Sequence, residues 1–303
     1  MAGTVRAHRG KVARRAVLGR VNPYWLMAVP AIVLFFLFHT LPALEGVFYS
    51  FTDSTGYGDW KFVGFENYVN LFSDDSVLHS YRFTLGFAVL STVVVNVISL
   101  AIAVCLTRNV KFRGLLRGIF FLPAVLATIV IGYVFNFLFS SGLTGIGRSL
   151  GISWLSDSIL GNPHLAWLGV VLVAVWQSCA TTIVIYMAGL QSVPGDVLEA
   201  ATIDGANSWQ RFWRITFPLL APFLTINMVL SLKNQLMVFD LVVALTGGGP
   251  GTSTQSISYL IYHNGFTGGQ FAYQSANAVI YFVVIAVLSL VQLRALRARE
   301  VSA

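Results

Sequence analysis

The chain has 303 residues, of which 56% are hydrophobic and only 10% are charged. Soluble domains carry about 25% charged residues, so this composition excludes a water-soluble globular protein. Lys and Arg outnumber Asp and Glu by 19 to 12. The basic residues lie mainly between apolar segments, and their excess therefore indicates membrane orientation rather than nucleic-acid binding. Two cysteines, Cys105 and Cys179, are too few for a disulfide framework or a metal cluster.

Six apolar segments are long enough to cross a membrane as helices. Their runs are continuous rather than alternating, which excludes a β-barrel and predicts an all-α polytopic membrane protein. The first segment is longer than the core of a signal peptide, so we expect it to be retained. The predicted spans are residues 24–48, 81–106, 118–139, 165–190, 219–245 and 276–293.

Basic residues predict the orientation of these spans. Fifteen Lys and Arg lie in the N-terminal tail, the connections after spans 2 and 4, and the C-terminal tail, whereas the opposite connections hold only Lys61 and Arg148. The positive-inside rule therefore predicts that both termini are cytoplasmic. The predicted organisation has three parts. Residues 1–23 are a basic cytoplasmic tail, residues 24–298 are a six-span transmembrane domain that includes the cytoplasmic connection at residues 191–218, and residues 299–303 are a C-terminal tail.

The connection at residues 191–218 has its own secondary-structure pattern. Pro194 suits the first turn of a helix, and Asp196 and Glu199 favour its positive end. Gly205 then predicts a stop, and Asn207 or Ser208 begins a second short helix that we expect to end before Pro218. Periodicity alone is equally consistent with two interfacial helices that only join spans.

The spacing in this connection resembles a known motif. The pattern is Glu199-Ala200-Ala201, three residues, Gly205, nine residues, Ile215, one residue and Phe217-Pro218. It resembles the EAA loop of binding-protein-dependent ATP-binding-cassette importers, with Phe217 where Leu is usual. The resemblance implies a coupling helix that docks into a cleft of a separate ATPase subunit. The residues it assigns to ATPase coupling are Glu199, Ala200, Ala201, Asp204, Gly205, Ile215 and Pro218.

The resemblance extends over most of the chain. Residues 62–68 (Phe-Val-Gly-Phe-Glu-Asn-Tyr) resemble the opening of sugar-importer permeases. The F-type permeases of maltose, multiple-sugar and glycerol-3-phosphate importers are similar at Phe239-Asp240 and at residues 245–251 (Leu-Thr-Gly-Gly-Gly-Pro-Gly). The resemblance implies an inner-membrane permease with the type I importer fold, with no catalytic or metal-binding residues and no cofactor of its own. The implied partners are a G-type permease in a heterodimer, two ATPase subunits that bind ATP and Mg²⁺, and an extracytoplasmic solute-binding protein.

Polar residues inside spans 4 and 5 mark a candidate solute pathway, because polar groups in lipid are costly. Such residues also form hydrogen bonds between helices, and this reading stays open for single Ser and Thr residues. The dense amides of span 5 favour solute contact, as does the resemblance for this stretch. The candidate pathway residues are Gln177, Ser178, Thr181, Asn227, Ser231, Asn234, Gln235 and Phe239.

Amides and hydroxyls suit a neutral sugar, whose hydroxyl groups need both donors and acceptors. Phe239 and Trp176 offer flat apolar surface for a pyranose ring. Lys233 keeps open an anionic alternative, glycerol-3-phosphate or a glycerophosphodiester, within the same class of importer. A secondary transporter is a weaker alternative, because it would be expected to show broken helices in two matched halves. A membrane-embedded enzyme lacks any recognisable cluster of acid, base or metal ligands.

Overall fold

The structure is a computed structural model that describes residues 23–107, 111–152 and 157–297. The predicted tails therefore lie outside the described residues, except Pro23. The described chain is α-helical apart from loops and one isolated β-bridge between Thr52 and Phe62, as the sequence predicts. Its α-helices are α1 (Pro23–Phe35), α2 (Leu41–Tyr49), α3 (Glu66–Leu71), α4 (Asp75–Thr107), α5 (Arg113–Val125), α6 (Thr128–Phe137), α7 (Leu143–Leu150), α8 (Pro163–Ser192), α9 (Gly195–Ile203), α10 (Ser208–Arg211), α11 (Phe217–Leu219), α12 (Ala221–Leu236), α13 (Asp240–Leu245), α14 (Ile257–Tyr262) and α15 (Phe271–Arg297).

Within the described residues, five helical segments are long and apolar enough to cross a membrane, or six if one bent pair counts as a span. Single π-helical turns join several of the helices within these segments. The five are Met27–Tyr49, Asp75–Thr107, Thr128–Leu150, Pro163–Ser192 and Phe271–Arg297, and the bent pair is Ser208–Leu219 with Ala221–Leu236. The chain divides into two compact units at Gly46 and Val47.

Span 3 differs from the sequence prediction, which treated residues 118–139 as one helix. Helix α5 ends at Val125, Leu126 and Ala127 adopt extended backbone angles, and α6 begins at Thr128. The helical segment then continues to Leu150, well beyond the predicted end. Hydropathy does not detect this break, because Leu126 and Ala127 are as apolar as the helices that they separate.

Span 5 also differs from its prediction, residues 219–245. Helix α12 ends at Leu236, and after a short non-helical stretch α13 packs beside α6. The two helices meet so closely that a Cβ atom on Gly132 of α6 would lie 2.5 Å from the Cβ of Ala244. The short second helix of the connection is longer than predicted, because it continues through Pro218 to Leu219 before a bend of 66°. A π-helical turn, Phe212–Thr216, precedes this proline.

The centre of the second unit is the packing of α4 against α8, and α12 packs against both of them. Val95 and Ala103 of α4 and Val170, Val173 and Ile183 of α8 are fully buried in one apolar cluster. Because apolar side chains gain little from leaving lipid, close packing and interhelical hydrogen bonds hold such helices together.

A polar network crosses this apolar interface. The Tyr186 hydroxyl of α8 donates a 2.6 Å hydrogen bond to Asn96 Oδ1 of α4, and Asn96 Nδ2 lies 3.4 Å from Ser231 Oγ of α12. The network fixes the positions of the three helices relative to one another, and this places the polar residues of α8 and α12 described next.

Candidate functional site

The connection between α8 and α12 forms a helical hairpin. Helix α9 begins after Pro194 and ends at Ile203, and Gly205 has a φ of +80° that an L side chain rarely adopts. Asn207 then caps α10 in a capping box with Gln210, in which each side chain accepts a hydrogen bond from the other residue's backbone N–H. The predicted helix, stop and second helix are all present.

Arg211 fastens the two arms of the hairpin. Its Nη1 donates a short hydrogen bond to Thr202 Oγ1 of α9, and its Nη2 lies 3.3 Å from Ser208 Oγ of α10. Together with the turn at Gly205, these contacts hold α9 and α10 in a fixed arrangement.

The predicted coupling residues lie on and around this hairpin. Glu199, Ala200 and Asp204 are exposed, whereas Ala201 is buried against the rest of the chain. Asp204, Gly205 and Ile215 share a cleft of about 310 Å³ with Ala206, Gln210 and Arg214, and Pro218 lies half-buried in the helix that leads to α12.

Large apolar side chains on the hairpin are uncovered in this chain. Ile203 is 86% exposed, and Trp209 is 70% exposed although it contacts Trp213 at 5.5 Å between ring centroids. Exposed apolar surface of this kind marks contact with a membrane or with another protein. The hairpin therefore has the features of a docking element.

A polar cavity of about 380 Å³ lies between α8 and the end of α12. A volume of this size is typical of a site for a small ligand. Gln235 Nε2 donates a 2.9 Å hydrogen bond to Ser178 Oγ, and Gln177 Nε2 donates a 3.1 Å bond to Thr128 Oγ1. Its lining residues are Ala124, Thr128, Ala174, Gln177, Ser178, Thr181, Asn234, Gln235, Met237, Val238, Phe239, Asp240 and Leu241.

Six of the eight predicted pathway residues meet in this cavity, namely Gln177, Ser178, Thr181, Asn234, Gln235 and Phe239. The other two, Asn227 and Ser231, are buried between helices and do not line it. Asn227 Nδ2 lies 3.3 Å from the Thr182 carbonyl oxygen, and Ser231 belongs to the Asn96 network. The helix face that the sequence treats as one is therefore divided between a cavity and a packing interface.

Sequence reasoning did not assign Thr128 and Asp240 to the pathway. Asp240 is an exposed carboxylate in the cavity wall, immediately after the expected Phe239. The polar positions were visible in the sequence, but only the break after Leu236 turns Asp240 back towards α8. Trp176 is the opposite case, because it lines a separate apolar cavity and contacts Phe135 at 5.3 Å.

The sequence is similar to known proteins over most of its length. The sequence pattern of the family "binding-protein-dependent transport system inner membrane component" matches residues 95–299. The chain is 38% identical over 287 residues to the multiple sugar-binding transport system permease protein MsmF of Streptococcus mutans, covering 93% of this chain and 98% of the relative. It is 37% identical over 278 residues to the probable starch degradation products transport system permease protein AmyD of Thermoanaerobacterium thermosulfurigenes, covering 92% and 95%.

The fold is also that of a solved structure. A bacterial ABC transporter involved in the import of the acidic polysaccharide alginate contains a chain that matches with a TM-score of 0.79 and 22% sequence identity. The match covers 91% of this chain and 95% of that one. At this identity the likeness establishes the shared fold.

Proposed function

This chain belongs to the family of binding-protein-dependent transport system inner membrane components, and we propose that it forms half of the translocation pathway for a sugar or oligosaccharide in an ATP-driven importer. It is a multi-pass membrane permease subunit of the ABC class. Its role is to hold and move a solute rather than to change it chemically.

The observation that carries this proposal is the direct linkage between cavity and hairpin. Helix α8 contributes Gln177, Ser178 and Thr181 to the cavity and enters the hairpin at its other end. Helix α12 leaves the hairpin and contributes Asn234 and Gln235. A displacement of the hairpin therefore reaches both walls of the cavity, along α8 on one side and, beyond the 66° bend that follows Leu219, along α12 on the other.

The cavity favours a neutral, hydroxyl-rich solute. Side-chain amides and hydroxyls supply both donors and acceptors to sugar hydroxyl groups, and Phe239 supplies an aromatic ring beside them. The charge in the wall is the carboxylate of Asp240, whereas Lys233 is not among the lining residues. Both named relatives are also sugar or starch-product permeases, so the alternative of glycerol-3-phosphate or a glycerophosphodiester has less support.

The proposed assembly follows from the exposed hairpin and the family. A second, related permease would complete the pathway as a heterodimer, and two ATPase subunits would bind ATP and Mg²⁺ and receive the hairpin on the cytoplasmic side. Glu199 and Asp204 offer exposed carboxylates to a basic cleft there. An extracytoplasmic solute-binding protein would deliver the sugar from the opposite side, with both termini of this chain cytoplasmic.

Deletion of the gene tests this proposal in intact cells. We expect the deletion strain to lose high-affinity uptake of one labelled saccharide from a panel of maltose, maltotriose, raffinose and trehalose, and a plasmid copy to restore it. Uptake of labelled glycerol-3-phosphate is measured in parallel. Loss of glycerol-3-phosphate uptake with normal uptake of every saccharide would contradict the proposed solute class.

A further inference from the structure

A second cavity, separate from the candidate pathway, lies on an apolar side of the helical bundle. It has a volume of about 610 Å³. Ile119 of α5 and Leu172 of α8 line it and are 56% and 55% exposed, so the cavity opens towards the surroundings of the chain. Its lining side chains are all apolar, counting the Cys179 thiol: Val94, Ile98, Ile102, Ile119, Phe120, Pro123, Phe135, Val171, Leu172, Val175, Trp176 and Cys179.

The shape of the cavity fits a hydrocarbon chain. Val94, Ile98 and Ile102 lie one helical turn apart on α4, so they line the cavity over about 12 Å at a rise of about 1.5 Å per residue. The hydrocarbon part of one membrane leaflet is about 15 Å thick. An apolar cavity of this length beside α4 and α8, which are both long and apolar enough to cross a membrane, is therefore matched to a lipid acyl chain.

An unpaired cation lies at one end of this cavity. Arg117 is on α5 one turn before Phe120, which lines the cavity. Its Nε and Nη2 atoms are buried and have no hydrogen-bond partner in the described part of the chain. Burial of Nε and Nη2 without an acceptor is unfavourable, and a negatively charged group would satisfy both donors through charge-assisted hydrogen bonds.

A second basic residue lies close to Arg117 in the chain. Lys111 is exposed and precedes the first residue of α5 by two positions. An apolar cavity with a basic end is the arrangement that recognises an amphiphile with an anionic headgroup. A wholly apolar protein helix in the same cavity would leave the guanidinium unpaired.

We propose that this cavity binds one anionic phospholipid, with an acyl chain between α4, α5 and α8 and the headgroup phosphate at Arg117. The site is separate from the saccharide cavity, and the proposal rests on membrane embedding alone. It assigns a role to an arginine that neither solute binding nor ATPase coupling uses.

Native mass spectrometry of the purified full chain tests this site with an equimolar mixture of phosphatidylglycerol and phosphatidylcholine. We expect the unaltered chain to retain phosphatidylglycerol preferentially. Arg117→Gln should lower the retained phosphatidylglycerol about fivefold or more, because a charge-assisted hydrogen bond is lost. Arg148→Gln removes the same charge from an exposed position on α7 and should change retention by less than about twofold.

A cavity-filling pair keeps the test decisive if Arg117→Gln fails to fold. Ile98→Trp places a bulky ring inside the cavity and should reduce retention of both lipids, whereas Val97→Trp, at a residue that is 64% exposed and outside the lining, should not. Unchanged retention in Arg117→Gln or in Ile98→Trp would overturn the proposal. Loss of co-purifying second permease in these variants, with lipid retention intact, would instead identify a protein helix as the occupant.

Discussion

The Gln235 side chain donates a 2.9 Å hydrogen bond to the Ser178 hydroxyl, and this bond joins the two helices that enter and leave the hairpin. Gln235 is buried, yet both residues also line the polar cavity between α8 and α12. The same contact therefore sets the spacing of the cavity walls and holds α12 to α8. A movement of the hairpin that separates α8 from α12 must break this bond. A movement that keeps the bond must shift both helices together.

The first prediction compares two asparagines of α12. Asn234 is exposed in the cavity, whereas Asn227 is buried and bonded to the Thr182 carbonyl. Asn234→Ala should lower uptake per assembled importer by about tenfold, since one hydrogen bond to a solute contributes about 1 kcal/mol and more when the group is desolvated. Asn227→Ala should leave uptake per importer near normal and reduce the thermal stability of the complex.

Each asparagine variant is the control for the other, because the side chain, helix and substitution are the same. Solute uptake in proteoliposomes, normalised to the amount of assembled complex, measures the first effect, and the apparent Tm of the complex measures the second. If Asn227→Ala impairs uptake as much as Asn234→Ala does, the division of this helix face between pathway and packing is wrong.

This division could not be predicted from the sequence. Asn227, Ser231 and Asn234 share a helix face by spacing, but which part of the face meets a cavity depends on where α4 and α8 pack. The Asn96 network that covers Ser231 joins residues 135 positions apart. Likewise Trp176 is adjacent to Gln177 in sequence and yet contacts Phe135 in a different cavity.

The hairpin was predictable because its signals are local. Pro194, Gly205 and the Asn207 cap act through neighbouring backbone groups, so their meaning does not depend on distant packing. Hydropathy likewise identified the apolar segments, but it does not register backbone angles. It therefore missed the extended residues Leu126 and Ala127.

The second prediction concerns Gly205. Its φ of +80°, and not crowding by neighbouring atoms, limits which residues can replace it. An added Cβ would meet no atom within 4 Å, so the cost of a side chain is conformational, about 1–2 kcal/mol for most L residues and most severe for β-branched ones. Solute-stimulated ATP hydrolysis by the assembled importer should fall in the order Gly205→Asn, Gly205→Ala, Gly205→Val.

Gly195 supplies the matched control for the hairpin. It begins α9, does not have a positive φ, and would have open space around a Cβ. The importer that contains Gly195→Ala should therefore hydrolyse ATP at the normal rate. Equal activity of Gly205→Asn and Gly205→Val would show that the left-handed backbone is not what coupling requires. Loss of insertion of the chain in Gly205→Val would be detected by its yield in membranes.

Orientation gives a third prediction, tested by labelling of single cysteines in right-side-out cells and inverted vesicles. Cys105 is exposed and is first replaced by Ala. A cysteine at the exposed Ser208 in the hairpin should react with a membrane-impermeant maleimide only in inverted vesicles. A cysteine at Thr55, exposed in the connection after α2, should react only in intact cells. Ser54 is a poorer probe than its neighbour because it is 5% exposed.

Reaction of both positions from the same side would contradict the odd number of spans, three, that the sequence predicts between them, and with it the orientation that the basic residues predict. The hairpin position also reports on assembly. Adding the ATPase subunits to inverted vesicles should protect the cysteine at residue 208 from the maleimide.

The last prediction concerns Gly132, where α6 meets α13. An added Cβ would lie 2.5 Å from Ala244 Cβ, closer than real side chains approach, and Ala244 is itself 4% exposed. Gly132→Ala should therefore displace α13, at a cost of about 1–3 kcal/mol for overpacking. Because Asp240 begins α13 and lines the polar cavity, the displacement should also weaken solute-stimulated ATP hydrolysis. Gly86→Ala is the matched control, since it lies in α4 with open space around the new methyl group, and an alanine there should keep or raise the Tm through helix propensity alone. Equal Tm values for the two variants would show that α6 and α13 separate without cost, and the cavity wall would then not depend on this contact.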